Sequence, residues 1–207
     1  MADETTLYLA FDGVLHPNVV TFREGCAPRL RAGGHKLFEN MHILEQLVEA
    51  HSVSIVLHNW WVPLIGYRST LSLLPESIRQ RVVGATWRQP RGPRARLAKR
   101  GSRRDWLQAD LLRRCPKHPV LLDCEARQVV PMLDGQACIV DDWKGIAESA
   151  GVESLQALLG QIAEVQTSER PRVNSLRREV KTGILSKSQR YPDTFVRGYI
   201  SEEQSAV

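Results

Sequence analysis

Asp12, Asp123, Asp141 and Asp142 each stand just past a short apolar run, and that placement gives them chemical interest. The first run, Leu7-Tyr8-Leu9-Ala10-Phe11, leads into Asp12-Gly13-Val14-Leu15-His16-Pro17. A run of that length reads as a buried strand, and Gly13 ends it with a residue that lets the backbone approach a ligand closely. Val120-Leu121-Leu122 delivers Asp123 in the same way, and Ala137-Cys138-Ile139-Val140 delivers Asp141 and Asp142. Carboxylates gathered at one sheet edge can move protons or hold a divalent cation. A further run, Val53 to Leu57, ends at His58-Asn59, both able to form hydrogen bonds, with His58 able to carry charge. Each residue also has a plainer reading. Asp12 can form an Asx turn before Gly13, Asp141 and Asp142 can cap the turn into Trp143-Lys144-Gly145, and Cys124 can be a small buried residue. Trp60-Trp61 reads first as core or helix-packing aromatics and second as a surface for stacking on a base.

These residues meet only if the intervening chain folds as alternating strands and helices. Leu37, Met41, Leu44, Leu47 and Val48 recur at helical spacing and predict a helix over about 37–50. Leu64 to Leu74 predicts short helical pieces, and Pro75-Glu76-Ser77 opens another through Arg81. Val82 to Thr86 predicts a third strand. Ser102-Arg103-Arg104-Asp105 forms a capping box that opens a helix to about Arg114. Strands at Pro119–Asp123 and Ala137–Asp142 follow, then an amphipathic helix over 153–164. Alternation of this kind predicts an α/β fold, Rossmann-like, with a mostly parallel sheet flanked by helices and its strand-end acids on one edge. Residues 18–35, with Gly25, Pro28, Gly33 and Gly34, predict a loop or minimal cap over that edge. Two parts are expected: an α/β domain over 1–165 and a polar, basic C-terminal extension over 166–207, helical around 172–182 or flexible.

The chain has 207 residues, enough for one buried core. Its four cysteines, Cys26, Cys115, Cys124 and Cys138, show no Cys-x-x-Cys spacing, so neither a disulfide framework nor a zinc knuckle is expected. The polar start Met-Ala-Asp-Glu-Thr-Thr predicts no signal peptide, and no apolar run is long enough for a membrane span, which together predict a cytoplasmic protein. The formal net charge of +5 is unevenly spread. From Ser77 to Arg104 there is no acidic residue, whereas Arg79, Arg81, Arg88, Arg91, Arg94, Arg96, Lys99, Arg100, Arg103 and Arg104 accumulate. Such a stretch suits a polyanion or phosphorylated substrate at the basic loop 88–104, or simply a solvated basic loop.

The stretch Ala10-Phe11-Asp12-Gly13-Val14-Leu15-His16 resembles the first signature of the haloacid dehalogenase (HAD) superfamily, Asp-x-Asp-Gly, with Ala10 in place of the first Asp. The resemblance extends over about residues 5–150. The His-Pro after the first signature, the Trp after the second strand and the minimal cap make the chain similar to the HAD domains of RNA-repair proteins. It implies Mg²⁺-dependent phosphoryl transfer in which the first Asp attacks phosphorus and the second shuttles the proton and lends its carbonyl to the cation. Carried over, Ala10 is the vacated nucleophile and Asp12 the general acid/base. His58 and Asn59 replace the usual Ser or Thr of the second signature. Arg103, with Lys99 and Arg104 close by, takes the place of the phosphate-neutralising cation. Asp12, Asp123 and Asp142 are the implied Mg²⁺ ligands, with Cys124 where many relatives have another Asp, and Glu125 as a weaker alternative.

Two readings of Ala10 stand side by side. One is an active phosphatase scaffold silenced by a single substitution, acting on a phosphomonoester such as a nucleotide or nucleic-acid end, and this is the primary expectation. The other is a non-catalytic module that binds nucleic acid or a protein partner. Dehalogenation fits poorly, because a proton-donating Asp12 and a cation-binding Asp123 suit phosphate. In either reading the chain as written should turn over at a rate lowered by several powers of ten.

Overall fold

Tyr8, Val56 and Leu121 point to one face of a sheet, and their neighbours Leu7, Leu9, Ile55, Leu57, Val120 and Leu122 point to the other; all are fully buried. Strands buried on both faces read as continuous apolar runs, and here the runs form a parallel sheet. The computed structural model describes residues 5–23, 26–88 and 101–184, with side chains as far as Ser168. Most of the expected basic loop (89–100, including Lys99) and residues 185–207 of the expected extension lie outside the described residues.

The strands are β1 (Thr5–Leu9), β2 (Val20–Thr21), β3 (Arg29–Leu30), β4 (Val53–Leu57), β5 (Val82–Ala85), β6 (His118–Asp123) and β7 (Ala137–Ile139). The helices are α1 (Met41–Ala50), α2 (Trp61–Ile65), α3 (Tyr67–Ser72), α4 (Glu76–Arg79), α5 (Arg103–Arg114) and α6 (Ser149–Ile184). Five strands form the main sheet in the order β5-β4-β1-β6-β7, every neighbouring pair parallel. The fold is therefore the expected α/β, Rossmann-like arrangement. Met41, Leu44, Leu47 and Val48 of α1 cover one face together with Leu155 and Leu159 of α6. Leu107 and Leu111 of α5 cover the other with Val130 and Leu133. On that face the buried Asp110 accepts from the Tyr8 hydroxyl at 3.1 Å and from Arg114 Nε at 2.9 Å. Burial outweighs the two nearby arginines and pushes the Tyr8 hydroxyl up to about 12.

Several boundaries differ from the sequence reading. α1 begins at Met41, not Leu37, because Phe38 adopts a φ of +60° and Asn40 turns its amide to the Lys144 carbonyl at 3.0 Å. The segment 18–35 carries a small antiparallel pair, β2 with β3. β7 stops at Ile139, so Asp141 and Asp142 lie in the turn beyond it, where Asp141 accepts from Trp143 N and Lys144 N. α6 extends well past both ends of the predicted 153–164 helix. The chain divides into two compact units, Met1–Thr167 and Ser168–Val207; the first holds both sheets, and the second is helical over its described backbone. Among the described residues no helix is long and apolar enough to cross a membrane.

Candidate functional site

The register of the sheet places the site. Leu9 pairs with Leu57 on one side and Leu122 on the other, and the next rungs are His58 N to Leu9 O at 2.8 Å and Ala10 N to Leu122 O at 3.0 Å. One residue beyond that row stand His58, Ala10 and Asp123, side by side at the carboxyl edge. All three are fully buried. Outer and inner strands of such a triplet are about 4.8 Å apart, so His58 and Asp123 start roughly two strand spacings from one another. Their side chains lean across the small Ala10 until His58 Nε2 and Asp123 Oδ2 are 3.8 Å apart.

Arg103 closes this row from above. It is the first residue of α5, whose start is fixed by a complete capping box: Ser102 Oγ accepts from Asp105 N at 3.2 Å and Asp105 accepts from Ser102 N at 2.9 Å. From there the guanidinium donates to the His58 carbonyl at 3.2 Å and to Asp123 Oδ1 at 3.2 Å, and lies 3.1 Å from Asp123 Oδ2 and 3.2 Å from Glu125 Oε2. Arg103 is 7 % exposed, whereas Arg104 is exposed and makes none of these contacts. Of Arg103 and Arg104, Arg103 is the one at the strand edge; Lys99, the third basic residue weighed from sequence, lies outside the described residues.

Burial sets the protonation of the row. It pushes His58 down to about 3, and the adjacent Arg103 charge acts in the same direction, so His58 is a neutral ring near pH 7. Its Nδ1 meets Thr86 Oγ1 at 3.2 Å. Burial also raises the Asp123 carboxyl above its ordinary value, partly offset by Arg103 and by the Glu125 N–H that Asp123 accepts at 2.9 Å. Glu125 is held down to about 2, first by Arg127, with Gln128 and Arg103 assisting. His58, which could carry charge by residue type, is a neutral, buried ring in this setting.

Asp12 leaves the row and faces another partner. Both of its carboxylate oxygens lie 3.0 Å from the indole Nε1 of Trp61, and Oδ1 is 3.4 Å from His16 Nε2. Trp61 is fully buried, wedged among Phe11, Phe22, Phe38 and His16. Gly13 follows with φ +74°, and its flank is filled by Cys124: a Cβ there would stand 2.4 Å from the sulfur. The Cys124 thiol donates to the Asp12 main-chain carbonyl at 3.4 Å. Burial, then the charges of Asp123 and Glu125, push this thiol up to about 12, so it keeps its proton and its donor role. Asp142 is exposed and contributes its carbonyl to Asn18 N at 3.0 Å.

Those contacts decide whether the implied cation fits. Mg²⁺ requires several hard oxygen donors in near-octahedral array. Here the Asp12 carbonyl is taken by a thiol, the Asp123 carboxylate is engaged by Arg103, and position 10 offers a methyl group. Among the described residues no three His, Cys, Asp or Glu side chains gather as a metal site. The donor set does not fit Mg²⁺ as arranged.

Sequence reasoning missed Trp61 as the partner of Asp12 and Thr86 as the partner of His58. Neither carries a local signal, since the pairs are 49 and 28 positions apart. His16, four residues after Asp12, was within reach of a spacing argument.

Neither the curated proteins nor the solved structures contain a significant match. The family described as "HAD domain in Swiss Army Knife RNA repair proteins" matches residues 6–150, which span every strand of the main sheet except the first residue of β1 together with the whole edge from Ala10 to Asp142. The chain belongs to that family and carries its HAD-type phosphohydrolase scaffold.

Proposed function

We propose that this domain recognises a phosphomonoester on a HAD-type scaffold from which the covalent hydrolytic step has been removed. The observation that supports this is the row His58–Ala10–Asp123, with a methyl group where the attacking carboxylate would stand and Arg103 directly beside it. Without a nucleophile at position 10 no aspartyl phosphate forms. The groups left for the ligand are the Arg103 guanidinium and the Asn59 amide Nδ2, which is buried without a hydrogen-bond partner. A phosphate oxygen accepting from Arg103 would compete with Asp123 and Glu125 for the same guanidinium.

The superfamily generally uses Mg²⁺. For this chain we propose recognition without it, because Cys124 occupies the Asp12 carbonyl and Arg103 supplies the positive charge beside Asp123. These departures accompany Ala10 and favour a scaffold changed at several positions over one silenced by a single substitution.

The test is calorimetric titration of the full chain with inorganic phosphate and with an aryl phosphate, alongside an assay of phosphate release. Binding without release, equal with Mg²⁺ and with a chelator, and lost in Arg103→Gln, is expected. Release by the unaltered chain, or failure to bind either compound, would overturn the proposal. Ala10→Asp should stay silent in Mg²⁺; turnover by that variant would show a single disabling change instead.

A further inference from the structure

Two elements that meet at the site each carry one polar or charged group and one aromatic ring. After β4, Asn59 is followed by Trp60; on α5, Arg103 is followed one turn later by Trp106. The two indoles meet with ring centroids 4.7 Å apart at 74°. Trp60 is 42 % exposed and Trp106 half-buried, in contrast to Trp61, which is fully buried and bonded to Asp12. The same junction is tied by Arg103 donating to the His58 carbonyl. The aromatic pair therefore lies at the rim of the edge that holds Arg103 and the unpartnered Asn59 Nδ2.

An exposed tryptophan placed edge to face against a second one keeps an open π-surface with little freedom to move. The surrounding charge favours an anion. The acid-free stretch from Ser77 to Arg104 contributes Arg88, which follows β5, and Arg104, beside Arg103, as exposed cations among the described residues. A ligand that uses all these features has a phosphate at one end and a flat, polarisable ring at the other.

We propose that Trp60 and Trp106 form a base-stacking subsite, so that the ligand is a nucleoside phosphate, free or at the end of a strand. This rests on the phosphate-recognising reading above. The buried donor of Asn59 and the guanidinium of Arg103 take the phosphate, and the indole face of Trp60 takes the base. Stacking of this kind tolerates any base, because every base has a π-face, so selectivity among the four bases is expected to be weak.

The experiment compares inorganic phosphate, ribose 5-phosphate and adenosine 5′-monophosphate by titration calorimetry on the full chain. The nucleotide should bind about tenfold or more tightly than ribose 5-phosphate, the increment that one stacked base typically supplies. Trp60→Ala should erase that difference while leaving ribose 5-phosphate affinity as it was, and Trp60→Phe should keep most of it. A circular-dichroism melt of each variant confirms folding, and Trp106→Leu provides a second route if Trp60→Ala does not fold. Equal affinity for nucleotide and ribose 5-phosphate would overturn the subsite while leaving the phosphate reading standing. Absence of binding by all three compounds would overturn both.

Discussion

Trp61 Nε1 sits equidistant, at 3.0 Å, from the two carboxylate oxygens of Asp12, so a fully buried indole positions the acid that follows the first strand. Hydrogen bonds to charged groups contribute about 1.5–3 kcal/mol net. A double-mutant cycle of Asp12→Ala and Trp61→Phe should give a coupling energy in that range by urea unfolding, since either change removes this hydrogen bond. Additive effects would mean that the indole is held by its aromatic neighbours alone.

Acid should destabilise this protein earlier than its carboxylates suggest. His58 moves from 6.5 to about 3 on folding, so the unfolded chain takes up its proton first. The neutral ring's contribution is complete above 6.5 and falls by up to about 1.4 kcal/mol per pH unit below it. Glu125 acts the same way at lower pH, its contribution present above 4.5 and lost as the pH falls toward about 2. Asp123 opposes them, because its raised value makes the folded carboxyl easier to protonate than the unfolded one. Melting temperature should therefore decline between pH 6.5 and 4.5, and His58→Gln should flatten that decline. An unchanged slope in the variant would assign the effect elsewhere.

Gly13 and Cys124 should prove strongly coupled. Gly13→Ala places a methyl group 2.4 Å from Cys124 Sγ at a φ of +74° and should cost about 1–3 kcal/mol from backbone strain alone, before the clash is counted. Adding Cys124→Ala removes the sulfur but leaves its Cβ at 2.8 Å, so the double variant should recover part of the loss and not all of it. Denaturant midpoints of the three variants measure this, and simple additivity would contradict the packing.

Ser102→Ala should loosen Arg103 without touching it. The substitution removes the acceptor of Asp105 N, a change worth about 1 kcal/mol at a helix N-terminus. Hydrogen exchange should quicken in the first turn of α5, and phosphate affinity should weaken with it. Ser102→Asp, which keeps an acceptor, should restore both.

Local patterns made much of this legible, and long-range partners set the rest. The capping box at Ser102 and the acid after Leu122 were readable because each depends on neighbours within a few residues. The start of α1 was not, because Asn40 bonds to the Val14 and Lys144 carbonyls and Phe38 packs on Phe11, His16 and Trp61, contacts remote in sequence. Asp12 and Arg103 were singled out through the family resemblance, from their places in its motifs. The orientation of Asp12 depends on Trp61, and the neutral state of His58 on burial beside Arg103, neither visible in spacing alone. Asp142 was expected to follow a strand directly; β7 ends three residues earlier and leaves it exposed in a turn.

The loop after β1 is sealed from the far end of the domain. Gly145 packs so tightly that a Cβ would stand 2.1 Å from the Val14 carbonyl, which also accepts from Ile146 N at 3.0 Å. The thiol that covers the Asp12 carbonyl comes from 112 positions downstream. Of the five strands of the main sheet, β1 is thus the first to be synthesised, yet it is enclosed only by residues far downstream. Until Cys124 and Gly145 have left the ribosome, the carboxyl edge of the sheet lacks the groups that enclose the loop after β1.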